Sequence, residues 1–285
     1  MLKKFKLLCV LLMAIIFSVT AQADAAPNWN TGTISVTGMG VPNPNMATTP
    51  AHASMMARRA AIADAYRQLA EAVNGVNVDA ETTVEQMMLT SDVVKTRVNA
   101  VIRGARITSE GELAGGGYSV TMEIGLFGDN GLAETVIERP AAIEPIPVPP
   151  TNYQPPAYEP TPPPAFEPNP QPKPRKGNYT GLIVDCRGLG TLNPVMSPVV
   201  KNANGQKIYG HKNLDYDRII LEGMANYAAD MSQAGRAGSN PLVIHAIGLD
   251  DFNANPVLSN EDADFVLYEN SQTHFLENIA VVFLY

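Results

Sequence analysis

Cysteine is nearly absent from this chain. Of 285 residues only Cys9 and Cys186 carry a thiol, and Cys9 lies inside an N-terminal apolar run with the marks of a cleaved export signal. One cysteine then remains, which excludes an intramolecular disulfide. Cys186 follows Leu182, Ile183 and Val184, a strand-like stretch that predicts a buried thiol. No histidine lies beside it to act as the base that a cysteine nucleophile needs. Histidine is scarce as well. His52, His211, His245 and His274 show no H-x-x-x-H spacing, and with no cysteine pair a zinc site is not signalled. His245 sits at an alternating strand position and reads as a core or edge residue.

Positive charge is also in short supply. Lys and Arg number 20 against 28 Asp and Glu, a formal charge of −8 that becomes −11 once Lys3, Lys4 and Lys6 leave with the signal. Phosphate contacts need clustered Lys and Arg, so nucleic acid and anionic membrane faces are excluded as partners. The small cluster Lys173, Arg175 and Lys176 does not reverse this. Catalytic signatures are missing too. There is no G-x-S-x-G elbow and no Ser-x-x-Lys. Gly188-Leu189-Gly190 lacks the third glycine of a dinucleotide loop, and Leu192-Asn193-Pro194 blocks the helix such a loop needs. The residues therefore imply no cofactor, no metal and no enzyme activity.

Apolar runs long enough to span a bilayer are missing. Leu7–Val19 is thirteen residues, short of the roughly 20 required. Preceded by three lysines and followed by Ala21-Gln22-Ala23, it has the three parts of a secretory signal over residues 1–23, with cleavage after Ala25 as an alternative. The mature protein is expected in the periplasm or at the cell surface, with no integral membrane segment.

What the chain has in excess is proline, and in one place. Pro140–Lys176 holds 15 of the 23 prolines in 37 residues. Each fixes φ near −65°, removes a donor and forces its predecessor out of the α region, which leaves polyproline II at roughly 3.1 Å per residue. The expected architecture is two small α+β domains, 28–139 and 177–285, held apart by a semi-rigid spacer over 140–176. Tyr153, Tyr158 and Phe166 would also suit a docking peptide, but a plain spacer accounts for them.

In the first domain, Thr31–Gly40 reads as a strand leading into a turn at Gly38-Met39-Gly40. Thr49, Pro50 and Gly75 mark a helix with Met55, Ile62, Tyr66, Leu69 and Val73 on one face and alanines that allow close approach to a sheet. Val76–Val84 alternates like a strand. A helix follows from Ser91-Asp92 to Gly104, and a hairpin over Ala105–Leu113 and Tyr118–Phe127 turns at Ala114-Gly115-Gly116-Gly117. Arg58 and Arg59 are candidate carboxylate or phosphate contacts, although a solvated face and a pairing with Asp64 or a strand carboxylate explain them more simply.

The residues Ala57-Arg58-Arg59-Ala60-Ala61, Asp64-Ala65-Tyr66-Arg67, Leu69, Glu71, Gly75-Val76 and Thr82-Thr83-Val84 resemble the LPP-twenty type of bacterial envelope lipoprotein. They are also similar to the N-terminal domain of the flagellar T-ring protein. Gly104-Ala105-Arg106-Ile107 and Gly117-Tyr118-Ser119-Val120 continue the match, which covers about residues 51–125. The resemblance implies a non-enzymatic cell-envelope domain. Those lipoproteins carry a lipid-modified cysteine at the mature N-terminus, and this sequence has none there.

In the second domain, Tyr179–Cys186 reads as a buried strand and Pro198–Tyr209 as a hairpin about Asn204-Gly205. Asp215–Arg236 reads as a helix, Pro241–Leu249 as a strand and Ser259 as the cap of a last helix. Ile279–Tyr285 reads as an apolar strand fit for a sheet interior. Asp250-Asp251 is expected to be a solvated turn rather than a calcium site. The leading reading is an exported, non-catalytic structural or interaction module that docks onto other envelope proteins, in a surface or flagellar-basal assembly. The alternative is an exported hydrolase or small-ligand binder with its cleft near Asp185, Arg187 and Arg236.

Overall fold

The computed structural model describes residues 26–155 and 177–285. The export signal, Tyr158, Phe166 and the basic cluster at 173–176 lie outside the described residues. The fold is α+β, and its elements fall into two units.

The first unit runs β1 (Thr33–Gly40), α1 (Pro50–Asn74), α2 (Val84–Thr90), α3 (Asp92–Arg103), β2 (Arg106–Leu113), β3 (Gly117–Gly125) and a single turn α4 (Ala133–Val136). The strands form an antiparallel sheet of order β1-β3-β2. Helix α1 begins and ends where its caps predict: the Thr49 side chain accepts from the His52 N–H, Pro50 opens the first turn and Gly75 closes the last.

The buried face of α1 differs from the expected one. Ala57, Ala61, Ala65, Leu69 and Val73 are buried, whereas Met55 is 57% exposed. The reason lies in β1. A Cβ on Gly38 would sit 2.2 Å from the Ala61 carbonyl oxygen, and one on Gly40 would sit 2.2 Å from that of Ala57. Helix and strand therefore touch backbone to backbone, and only alanine fits the seam. Gly38-Met39-Gly40 is thus no turn; it continues β1 in register with Val120, Ser119 and Tyr118.

Residues 76–83 also depart from expectation, with one isolated bridge, Asn77 to Thr83, in place of a strand. The Asp79 carboxylate accepts from the N–H groups of Glu81 and Thr82 and folds the chain into a turn. Thr83 then caps α2. Its hydroxyl accepts from the Gln86 N–H while the Gln86 side chain accepts from the Thr83 N–H, a reciprocal capping box.

The second unit comprises β4 (Gly181–Asp185), β5 (Val200–Asn202), β6 (Lys207–Tyr209), α5 (Tyr216–Glu222), β7 (Asn226–Ala228), β8 (Pro241–His245), β9 (Gly248–Asp250), β10 (Asn255–Leu258), α6 (Asn260–Thr273) and β11 (Val281–Leu284). Strands β7-β11-β4-β8 form a parallel sheet. All residues of β4 and β11 are buried, as parallel strands covered on both faces require. The final strand occupies the sheet interior, as its composition predicts. A second sheet has the order β6-β5-β10-β9. The expected strand over Pro241–Leu249 divides at Ala246-Ile247, because Ala246 N–H donates to Asp185 in the first sheet and Ile247 N–H to Val257 in the second.

The helix expected over Asp215–Arg236 lasts only through α5. Gly223 turns it off at φ 72°. Tyr227 is then drawn into β7, its ring buried and its hydroxyl exchanging hydrogen bonds with the N–H and C=O of Val195, both at 3.0 Å.

The two units are not held apart. Met196 and Ser197 donate to the carbonyls of Asn77 and Val78 at 3.0 and 2.8 Å, and Gly128 donates to Ile220 at 3.0 Å. Trp29 meets Tyr227 edge-on at 5.6 Å. One apolar cluster runs from Ile34 to Phe283. The described part of the proline-rich stretch lies on the second unit as a strap. Glu144 N–H donates to Lys212, Asn213 donates to the carbonyls of Glu144 and Pro145, Ile146 packs on the core and Tyr153 meets Tyr268 at 5.6 Å. Proline excludes helix and sheet from this stretch, yet leaves it free to lie along a surface.

Candidate functional site

The five side chains singled out in the sequence do not converge. Asp185 ends β4 and Arg187 follows it, and the pair is closed on itself. The Asp185 carboxylate accepts from Arg187 Nε at 2.8 Å, Nη2 at 2.6 Å and the backbone N–H at 3.1 Å. These bonds hold the Asp185 carboxyl below the usual carboxylate range, against the opposing effect of burial. His245, its register partner on β8, places Nδ1 3.4 Å from the same carboxylate, with a largely exposed ring; it is an edge residue.

Arg236 lies at the other end of the sheet, next to Ala237, which crowds Gly181 at the start of β4. A four-residue rise along β4 separates the two ends by about 13 Å. Its guanidinium donates to the carbonyls of Ile279, Glu222 and Gly223 and to Asn226 Oδ1, at 2.7 to 2.8 Å. Only 15% of that side chain is exposed, so it works as a clamp between α5 and the approach to β11. Arg58 pairs with Glu110 of β2 at 2.9 Å, the simpler of its two readings, and Arg59 is exposed.

The remaining candidates are occupied too. Lys201 Nζ sits 2.7 Å from Asp250 and 2.6 Å from Asp251, where a calcium ion would have to be. Burial pushes the Cys186 thiol up to about 12. Among the described residues no three His, Cys, Asp or Glu side chains are grouped to hold a metal ion.

A groove of about 1020 Å³ lies instead where the two units meet. Helix α3 contributes Arg97, Ala100 and Val101. The sheet contributes Arg106, Glu123 and Ile124, the 128–132 loop Asp129, and α4 Glu134 and Thr135. Arg139 and α5, with Tyr216, Asp217 and Ile220, close the far wall. The loop is shaped by left-handed Gly128 and Asn130 and tied to α5 through the Gly128–Ile220 hydrogen bond.

Charge in the groove is partly consumed. Arg106 pairs with Glu123 at 2.8 Å, and Arg139 pairs with Asp217 at 2.5 Å while lying 4.1 Å over the Tyr216 ring. Arg97, Asp129 and Glu134 are exposed and form no ion pair among the described residues. No sequence signal marks these residues, because segments around 33, 97–106, 123–139 and 216–220 meet only in the folded junction. The groove lining thus presents side chains of both charges.

Residues 35–125, from β1 to the end of β3, match the family model for LPP20 lipoprotein. This segment is similar to the LPP20 lipoprotein domain. Residues 181–285, from β4 to the last strand, match the model described as Treponema pallidum Tp0624, second domain. The LPP20 match supports the envelope-lipoprotein resemblance and says nothing of the flagellar one. No curated protein matches the chain. The groove is therefore walled by the LPP20 domain on one side and the Tp0624-type domain on the other. No helix among the described residues is long and apolar enough to cross a membrane, and the LPP20 family points to the cell envelope.

Proposed function

We propose that the protein is an exported, non-catalytic envelope module that docks other envelope proteins in the groove between its LPP20 and Tp0624-type domains. The observation that carries this is the groove's lining. Arg97, Asp129 and Glu134 present both signs of charge to solvent, while the paired Arg106–Glu123 and Arg139–Asp217 fix the walls. Such a surface is complementary to a polypeptide segment bearing both charges, and charge complementarity of this kind sets partner choice and encounter rate.

Asp185, Arg187 and Arg236 lend no support to the hydrolase or small-ligand alternative, since they sit at opposite ends of the sheet and are spent on internal bonds. A flagellar-basal assembly, which the sequence resemblance of residues 51–125 implies and the family match does not address, is one setting in which to look for the partner.

The test is a photo-cross-linking amino acid at Glu134 in intact cells, with captured proteins identified by mass spectrometry. Capture of a defined envelope protein that is lost in an Arg97→Glu variant supports the proposal. Absence of any adduct, or substrate turnover by the purified protein, refutes it.

A further inference from the structure

The turn between β9 and β10 reads Asp250-Asp251-Phe252-Asn253-Ala254. Asp251, Phe252 and Asn253 have φ of 49°, 57° and 65°, and Ala254 N–H donates to the carbonyls of both Asp250 and Asp251 at 3.1 Å. Together they make one turn of left-handed helix without a glycine. L-residues avoid this conformation because Cβ crowds the following carbonyl. Asp and Asn tolerate it as single residues, and a bulky aromatic does not.

The turn is held by its surroundings. Lys201, its side chain mostly buried, binds Asp250 and Asp251. Asn255 Nδ2 donates to Asp251 at 2.6 Å. From the other side Asn193 donates through Nδ2 to the Phe252 carbonyl at 2.6 Å and through its N–H to Asn253 at 2.9 Å. Yet the ring so positioned is wasted on the fold, since Phe252 is 74% exposed. Neither backbone preference nor core packing explains a phenyl group there, and glycine would serve the turn better. Strain kept by over-determined contacts belongs to sites with a use.

We infer that Phe252 is a preorganised anchor that enters an apolar socket with a basic rim on a protein partner. The ordered turn favours a protein socket, because an aromatic carried on a backbone already fixed loses less entropy on docking. One lysine faces two carboxylates here, so the turn keeps a negative charge, and Asp250 is half exposed. That charge and the chain's formal −8 oppose insertion into an anionic lipid surface and favour a rim of Lys or Arg. The inference rests on the interaction reading above but uses a different surface.

The experiment places p-benzoylphenylalanine at position 252 in intact cells, maps the adduct by mass spectrometry, and titrates the captured protein against wild type and Phe252→Gly. The expected result is an adduct on an apolar segment flanked by Lys or Arg, at least about tenfold weaker binding by F252G, and a higher melting temperature for F252G. Adducts only to lipid or to a second copy of this chain, no adduct, undiminished binding by F252G, or a lower melting temperature would each overturn it. The Glu134 cross-linker separates the two proposals: a partner captured there but not at 252 removes the anchor and leaves the groove standing.

Discussion

Replacing Gly38 with alanine adds one methyl group to the tightest seam in the molecule. The new Cβ would lie 2.2 Å from the Ala61 carbonyl oxygen, 2.3 Å from the Ala65 nitrogen and 2.8 Å from the Ala65 Cα. All three are backbone atoms of α1, so no side chain can swing away. Ordinary contact begins at 3.4 Å, and α1 must retreat from β1 by about 1.2 Å to reach it. A gap of 0.5–1 Å already forfeits about a quarter to a half of a dispersion well, and the retreat opens the packing of Ala57, Ala61, Ala65, Leu69 and Val73 together. Overpacking costs about 1–3 kcal/mol and sometimes more. Relief of unfolded-state entropy returns about 0.4–1 kcal/mol. The expected net loss is about 1–2 kcal/mol, or about 2–8 °C in Tm for a chain of this size. Urea titration followed by circular dichroism, with calorimetry, measures both. Gly111→Ala on β2, where an added Cβ meets nothing within 4 Å, is the control and should be neutral or slightly stabilising. If G38A melted with G111A, the backbone-to-backbone account of the α1–β1 seam would be refuted.

Three further outcomes follow from the described contacts. Glu269 on α6 is buried, and burial raises its carboxyl above the usual 4.5. A carboxyl raised in the fold contributes stability below its unfolded value, and that contribution is lost as pH rises through the raised one. Glu269→Gln should therefore melt higher than wild type at pH 7, with the gap closing below about pH 4; an equal gap at both pH values would sink the argument. The Cys186 thiol, pushed up to about 12 and buried, should be thiolate to only on the order of one part in ten thousand at pH 8. Ellman's reagent should then label it only after unfolding in urea, and rapid labelling of native protein would contradict its burial. Finally, a protease site inserted within residues 156–176 and cut should leave two pieces that co-elute on gel filtration, because the shared core and the hydrogen bonds at Asn77, Val78 and Gly128 join the units. Separate elution would show the units to be independent.

What was legible in the sequence was chiefly what local chemistry decides. The caps Thr49, Pro50, Gly75, Ser91 and Ser259 mark helix ends that the structure reproduces, and Asn204-Gly205 lies at the hairpin turn between β5 and β6. The composition of Ile279–Tyr285 predicted an interior strand because four buried apolar residues need neighbours on both edges. The capping box Thr83-x-x-Gln86 was equally local, but the alternation of Val76–Val84 masked it. Failures came where distant contacts override local pattern. Glycine at 38 and 40 looks like a turn until the alanines of α1 supply the reason for it. The stretch after Gly223 keeps helical spacing, yet Tyr227 gains more by reaching Val195. Asp185 and Arg187, two residues apart, bond to each other instead of converging on a ligand, whereas Arg236 is an anchor whose four acceptors lie up to 43 residues away. The groove was invisible for the same reason.

The strap also redefines what the proline-rich insert connects. On one side Tyr153 is seated on α6; on the other the carbonyls of Gly177 and Asn178 accept from Asn240, just before β8. Both of these flanking points thus stand on the Tp0624-type domain. A change in the number of residues between 155 and 177 is therefore expected to leave the spacing between the two domains as it is.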